Sequence, residues 1–343
     1  MSSSVPDLRI GLVGYGSWTR EAYIPALRRS GRASVVAAAA RSALTRQRIR
    51  DELGNSLPVF DGIEALLGGA TLDAVMIAVP DTMHEAVLSA ALAAGVPALY
   101  EPPLSHTRGH LPQMIARLLS ASQVTHADLE LAYIPAVTRA AELLQAGALG
   151  KMETIGMCLQ ASWQAEAEND LSTVGRLTPW YVDVLNAIVG ATPRRVFVLD
   201  GRGNSGRAQN FSCAHFDYGA VCGSFEVNLA SLGELTVTVE ARGTDGELAL
   251  NLFSGEVRFR SRRNPDWTVE SWPAQAPYAG WPGMHESVAS FLESVAKGTP
   301  GPNGALKMAQ LNQVALAAEE AKDTGTWANV EQVAADIGPR PSP

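Results

Sequence analysis

The chain has 343 residues, of which 46% are hydrophobic and 18% charged, with a formal net charge of −8. That length passes the roughly 250–300 residues at which one hydrophobic core stops growing, so two domains are expected, and the apolar content excludes a disordered chain. The acidic balance argues against a partner built on phosphate backbones, so no nucleic acid is expected. Three cysteines, Cys158, Cys213 and Cys222, show neither disulfide density nor metal-ligand spacing and suit a reducing cytoplasm. The segment Met1–Asp7 lacks the build of a signal peptide, and no apolar run reaches the 18 or so residues of a membrane span.

Strand and helix patterns alternate over the first 125 residues. Apolar runs at 9–13, 34–40, 59–60, 74–79, 98–100 and 124–131 read as strands, and the segments 21–30, 44–53, 62–67, 83–94 and 111–120 between them read as helices, most closed by a glycine. Such alternation predicts βαβ units and a mainly parallel sheet. The rhythm then changes. A helix over 136–146 precedes β-type runs at 152–163 and from Arg194 to Phe259, with a helix over 178–189 between them and two closing helices, 285–296 and 304–323. Strands joined by short turns predict an antiparallel sheet. The fold class is therefore α/β: an N-terminal parallel-sheet domain over 1–125, then an α+β domain over 126–343 with a large open antiparallel sheet.

Gly14-Tyr15-Gly16-Ser17-Trp18-Thr19 follows the first strand and opens the first helix. Gly14 permits a tight turn and Gly16 lets a pyrophosphate approach the backbone at a helix N-terminus, where unpaired N–H groups favour anions. Thr19 stands where a third glycine is usual, and a plain strand–helix turn is the competing reading. At the end of the second strand, Ala39-Ala40-Arg41-Ser42 offers no carboxylate for a ribose 2′-hydroxyl; a guanidinium and a hydroxyl suit a 2′-phosphate, so NADP is expected ahead of NAD. Arg41 as a solvated first-turn residue is the alternative.

With these residues in place, the chain resembles the glucose-fructose oxidoreductase / inositol dehydrogenase / rhizopine-catabolism (Gfo/Idh/MocA) family. The landmarks are the glycine turn; Tyr23-Ile24-Pro25-Ala26-Leu27; Ile77-Ala78-Val79-Pro80-Asp81-Thr82-Met83-His84; Glu101-Pro102-Pro103-Leu104; Asp183 with Gly190 seven residues on; and the closing helices. The resemblance implies a Rossmann domain, a C-terminal sheet through which homodimers or homotetramers form, and NAD(P)-dependent redox chemistry on small sugar-like, imine or carbonyl substrates. It also implies cofactor contacts from Val79, Pro80, His84, Glu101 and Pro102. Three departures stand out. The family's lysine of "E-K-P" is Pro102, its later aspartate aligns with Arg176, and its histidine with Trp180. Only four lysines occur, Lys151, Lys297, Lys307 and Lys322, none in a segment expected near the site.

Moving a hydroxyl proton needs a substitute group, since acid–base help is worth roughly 10²–10⁴ in rate. The candidates are Tyr133, Tyr181 and Asp183, with His106 behind them; amphipathic core tyrosines, a helix cap or ion-pair partner of Arg176 or Arg194, and a surface histidine are the plainer readings. Trp163, Trp180 and Arg176 are candidates for the substrate end, with Trp267, Trp272 and Trp281 adding aromatic mass and Glu166, Glu168, Asn169 and Asp170 a polar loop. The six histidines are scattered, so no metal site is expected. Two other functions fit an intact glycine turn beside missing acid–base groups: a non-catalytic cofactor-binding sensor, and nicotinamide-assisted elimination or hydrolysis.

Overall fold

The computed structural model describes residues 7–162, 170–201, 210–273 and 281–333. Six strands, β1 (Leu8–Val13), β2 (Ala33–Ala39), β3 (Val59–Phe60), β4 (Ala74–Ile77), β5 (Ala98–Tyr100) and β6 (Thr125–Ala127), form a parallel sheet in the order β3-β2-β1-β4-β5-β6. Helices cover both faces, which is why a strand such as β4, Ala-Val-Met-Ile, is apolar and buried throughout. The helices α1 (Ile24–Ser30) and α2 (Ala43–Leu53) lie on one face with Ile10 and Leu12. On the other, α3 (Ile63–Gly69), α4 (Asp81–Ala93) and α5 (Leu111–Ser120) pack against Val13, Val75 and Ile77.

After α6 (Pro135–Gln145), the chain enters a second sheet through β7 (Met152–Gln160) and crosses it with α7 (Thr173–Val189). Then follow β8 (Arg195–Gly201), β9 (Phe211–Asp217), β10 (Cys222–Asn228), β11 (Thr236–Gly243), β12 (Gly246–Asn251), β13 (Glu256–Ser261) and β14 (Thr268–Ser271). Helices α8 (Met284–Lys297) and α9 (Ala305–Thr324) and the short β15 (Ala328–Asn329) close the described chain. The order is β14-β13-β12-β11-β7-β10-β9-β8-β15, antiparallel except for the β7–β10 pair. One face packs on helices and the other is open, so β9 and β10 alternate buried and outward residues.

The C-terminal helices return to the first sheet. Met284, Val288, Phe291 and Leu292 of α8 join the core of Leu8, Ile10 and Ile24. Helix α9 places Met308 and Leu311 in the core under the parallel sheet and Val314, Ala318 and Ala321 in the core of the second sheet.

Two elements differ from the pattern reading. The expected strand 124–131 stops at Ala127, and a 3-10 turn over Glu130–Tyr133 leads into α6, whose first residue, Pro135, holds Ile134 extended. Helix α7 starts at Thr173 rather than 178, because Ser172 caps it by accepting from the Gly175 N–H at 3.0 Å, and Pro179 is tolerated inside.

Glu319 of α9 is fully buried and accepts from the Ser172 N–H at 2.7 Å and the Ser172 hydroxyl at 2.6 Å, with Lys322 Nζ at 3.0 Å. It thus fastens the N-terminus of α7 to α9. Glu319→Ala strands those donors in the core and is expected to cost on the order of 3 kcal/mol, read as a lowered urea midpoint.

Candidate functional site

A cleft of about 840 Å³ opens at the carboxyl edge of the parallel sheet. It is lined by the turn after β1, the ends of β2 and β4, the Glu101–Pro102 segment after β5, and Trp180 of α7. Of the residues singled out from the sequence, Gly14, Gly16, Ser17, Trp18, Arg41, Ser42, Val79, Pro80, His84, Glu101, Pro102 and Trp180 all line this one cleft.

The two glycines of the turn serve different needs. Gly14 has φ +89°, and a Cβ there would sit 1.9 Å from the Ala78 carbonyl oxygen, so the turn closes only on glycine. At Gly16 an added Cβ meets nothing within 4 Å; the space it faces is the cleft. Thr19 is buried, and its hydroxyl donates to the Gly14 carbonyl at 3.1 Å, so it braces the turn where a third glycine was absent.

At one end of the cleft, Ser42 is the cap of α2: its Oγ accepts from the Thr45 N–H at 3.0 Å. Arg46 is tied to the carbonyls of Ala40 and Arg41 at 2.9 and 2.6 Å, leaving Arg41 and Arg48 as the guanidiniums that line the cleft there. Thr45, Arg48, Asp61 and Glu64 line it too; none was singled out from the sequence, because helix and loop positions off the glycine motif carry no local signal.

At the other end, the ring of His84 bridges the carbonyls of Val79 at 2.8 Å and Pro103 at 2.9 Å, holding together the loops after β4 and β5. Arg176 pairs with Asp81 at 3.1 Å and joins α7 to the start of α4 on the rim. Trp180 faces the cleft and Pro102 adds only apolar surface beside it.

The expected proton-handling residues fare unevenly. Tyr181 is a correction: it is buried and stacked on Phe225, centroids 5.6 Å apart, because its place next to Trp180 on the helix turns it about 100° away into the core of the second sheet. Asp183 is buried behind the cleft and paired with Lys307 at 3.1 Å, so a lysine does reach this region, through the return of α9. Burial pushes the Asp183 carboxyl up and Lys307 opposes it. Neither Asp183 nor the half-buried Tyr133, whose phenol burial makes harder to ionise, lines the cleft. His106 lies in the loop whose carbonyl takes the Asp170 N–H at 3.2 Å. Trp163, Glu166, Glu168 and Asn169 fall outside the described residues. Trp267 is flanked by Arg258 and Arg260 far along the second sheet, and Trp272 packs on its core.

Sequence reasoning missed the charged centre of the site. Behind Glu101, which is half-buried and lines the cleft, lie Asp128 and Glu130, both buried. Tyr23 donates its hydroxyl to Glu101, Trp18 Nε1 donates to Asp128 at 3.3 Å, Ser287 donates to Asp128 at 3.2 Å, and Trp281 Nε1 donates to Glu130. Trp281 is held at φ +45° and meets Trp18 edge-on at 4.9 Å. Burial, and then the neighbouring carboxylates, push Glu101 and Glu130 well above the ordinary range; burial raises Asp128 as well. His126, beside Ser287, is driven down to about 3 by burial and Lys307. Among the described residues no cluster of metal ligands and no helix long and apolar enough to cross a membrane occurs.

Residues 8–128 match the family model GFO_IDH_MocA, described as the oxidoreductase family, NAD-binding Rossmann fold. Among solved structures, an oxidoreductase from Agrobacterium radiobacter in complex with NAD+, L-tartaric acid and magnesium superposes with a TM-score of 0.82 at 16% identity, covering 94% of this chain and 98% of that one. Levoglucosan dehydrogenase in complex with NADH and levoglucosan gives 0.82 at 17% identity, covering 95% and 100%. GenD2 from gentamicin A biosynthesis, in complex with NAD, gives 0.80 at 20% identity, covering 96% and 98%. At these identities the likeness is one of fold. An uncharacterized oxidoreductase of Synechocystis is 24% identical over 197 residues, a stretch spanning 54% of this chain and 52% of that protein; the match thus covers about half the length of this curated relative.

Raised carboxyl pKa values mean that the folded state binds more protons than the unfolded one above the ordinary carboxylate range, so stability is lost as pH rises. His126 works the other way, but only below its unfolded value of 6.5. Between about pH 6.5 and 8 the unfolding free energy should therefore fall as pH rises, and Glu130→Gln, which keeps an acceptor for Trp281, should flatten that slope in urea titrations. A slope of opposite sign would contradict the buried protonated cluster.

Proposed function

We propose that this chain, whose residues 8–128 match the Gfo/Idh/MocA oxidoreductase family model, holds a nicotinamide nucleotide in the cleft and acts on a small sugar-like, imine or carbonyl substrate at the Trp180 end. The observation that carries this reading is the turn after β1: Gly14 is locked against Ala78 while Gly16 leaves its side of the backbone open to the cleft, at the start of the first helical segment. A bound nicotinamide nucleotide supplies or accepts the hydride. The relatives' complexes with NAD+ and NADH agree with that choice of cofactor class.

NADP is preferred over NAD in this reading. The end of β2 bears no carboxylate, and Arg41 and Arg48 line the cleft beside it, a setting suited to a 2′-phosphate. His84, the Val79–Pro80 segment, Glu101 and Pro102 line the end of the cleft that would hold the nicotinamide, and Trp180 lines it on the α7 side, where the substrate would enter. Arg176, held by Asp81, sets the rim. Pro102 has no donor, which favours substrates that ask little of a lysine, such as imines and conjugated carbonyls.

A second reading, a cofactor-binding sensor without turnover, is favoured by the same three positions: Pro102 without a donor, Arg176 engaged by Asp81, and an indole at Trp180. We also propose self-association through the open face of the second sheet, where Leu199 of β8 and Phe211 of β9 are exposed two register positions apart. The setting proposed is cytoplasmic.

Gly16→Val should leave the fold intact and weaken nucleotide binding at least about tenfold, and Arg41→Ala should weaken NADPH binding by about ten- to a hundredfold while leaving NADH within about twofold, in calorimetric titrations. Equal losses for both nucleotides at Arg41 would remove the NADP preference. Turnover is checked by NADPH oxidation against a panel of sugars, imines and enones. Substrate-dependent oxidation supports the enzyme; tight nucleotide binding with no oxidation across the panel supports the sensor.

A further inference from the structure

Three carboxyls gather here, Glu101 on the floor of the cleft and Asp128 and Glu130 buried behind it, and among the described residues no cation pairs directly with any of them. The guanidiniums of Arg41 and Arg48 line the far end, Lys307 is taken by Asp183, and His126 is kept neutral by burial. We propose that Glu101 is the proton-exchanging residue of the cleft, taking the place of the amine missing at position 102, and that Asp128 keeps it protonated until it reacts. This inference rests on the nucleotide-binding reading above.

The geometry carries the argument. Glu101 follows directly from β5 and is the one member of the cluster that lines the cleft. Glu101 and Asp128 follow directly on the paired residues Tyr100 and Ala127 of β5 and β6, and the Asp128 N–H donates to the Tyr100 carbonyl at 2.9 Å, so the two acids are neighbours. Ionised carboxylates only accept and repel one another, so one proton retained between the two groups relieves both. The donors around the pair decide where it sits. Asp128 already accepts from Trp18 at 3.3 Å and Ser287 at 3.2 Å, whereas Glu101 accepts only the Tyr23 hydroxyl among the described residues. The better-furnished Asp128 therefore bears the charge and Glu101 donates to it. Glu130 adds a second like charge, or a second shared proton: one of its oxygens takes the Trp281 N–H and the other, buried, has no partner among the described residues. The remaining ionisable groups facing the cluster are Tyr23, Tyr133, His126 and the Asp183–Lys307 pair, and all but that last cation are neutral or acidic.

The step balances. In the reducing direction the carbonyl or imine carbon gains the hydride that a reduced nicotinamide would supply, and its oxygen or nitrogen gains the proton of Glu101, which is left as a carboxylate and regains a proton from solvent through the cleft. In the oxidising direction Glu101 as carboxylate takes the hydroxyl proton, and the carbon's hydride would pass to an oxidised nicotinamide. Positioned acid help of this kind is worth about 10²–10⁴ in rate.

The test has an arm that needs no turnover. Infrared spectra of the nucleotide-free protein near neutral pH should show the carbonyl stretch of a protonated carboxylic acid, lost or reduced in Glu101→Gln. In that variant kcat should fall about 10²–10³ and the alkaline limb of the pH profile should disappear. In Asp128→Asn, removing the like charge lets Glu101 ionise earlier, so that limb should move to lower pH. Wild type that binds no nicotinamide nucleotide overturns both this proposal and the reading beneath it. Nucleotide binding with no protonated-acid band, or with a Glu101→Gln profile unchanged from wild type, overturns this proposal alone.

Discussion

The crevice between β1 and β4 exists because the chain leaves those two neighbours on opposite faces of the sheet: α1 packs on one side and α4 on the other. What keeps it open and shaped is one close approach. The backbone at Gly14 lies so near the Ala78 carbonyl that no side chain fits between them, and the strand ends are tied by the Gly14 N–H to Ala39 at 3.0 Å and the Ala78 N–H to Val13 at 2.9 Å. The cleft, the turn that faces it and the loops at its floor all take their positions from that contact.

The floor is built by distant parts of the chain. Tyr23 comes from the first helical segment, Glu101 from the end of β5, Asp128 and Glu130 from the end of β6, and Ser287 and Trp281 from the return of the chain through α8. Trp281 belongs to two cores at once and touches Trp18, so the wall of the cleft and the seam between the sheets share one side chain. Gly283, at φ +82°, lets that segment pass against the Glu130 carbonyl, where a Cβ would lie 2.0 Å away. Burying acids here costs solvation, and the molecule meets the cost with indole, phenol and hydroxyl donors and with retained protons rather than with cations.

Local chemistry made much of this legible in the sequence. The glycine turn, the apolar run of β4, the Glu101–Pro102 segment and the lack of a carboxylate after β2 are all contiguous signals, and their residues meet in one cleft. Contacts between far-separated residues left no such trace. Nothing near Lys307 announces Asp183, and nothing near Glu130 announces Trp281, 151 positions on. Neighbouring positions on a helix face different ways, and only packing settles which of Trp180 and Tyr181 meets the cleft. Helix α7 begins at Thr173, ahead of the expected 178, because the cap that sets its beginning, Ser172, is completed by Glu319 from another helix.

Calorimetric titration of the purified protein with NADPH, NADP+, NADH and NAD+ tests the central claim most directly. The account predicts saturable binding of one nucleotide per chain at micromolar concentrations, tighter for the phosphorylated pair. No heat of binding from any of the four at millimolar concentration would contradict it.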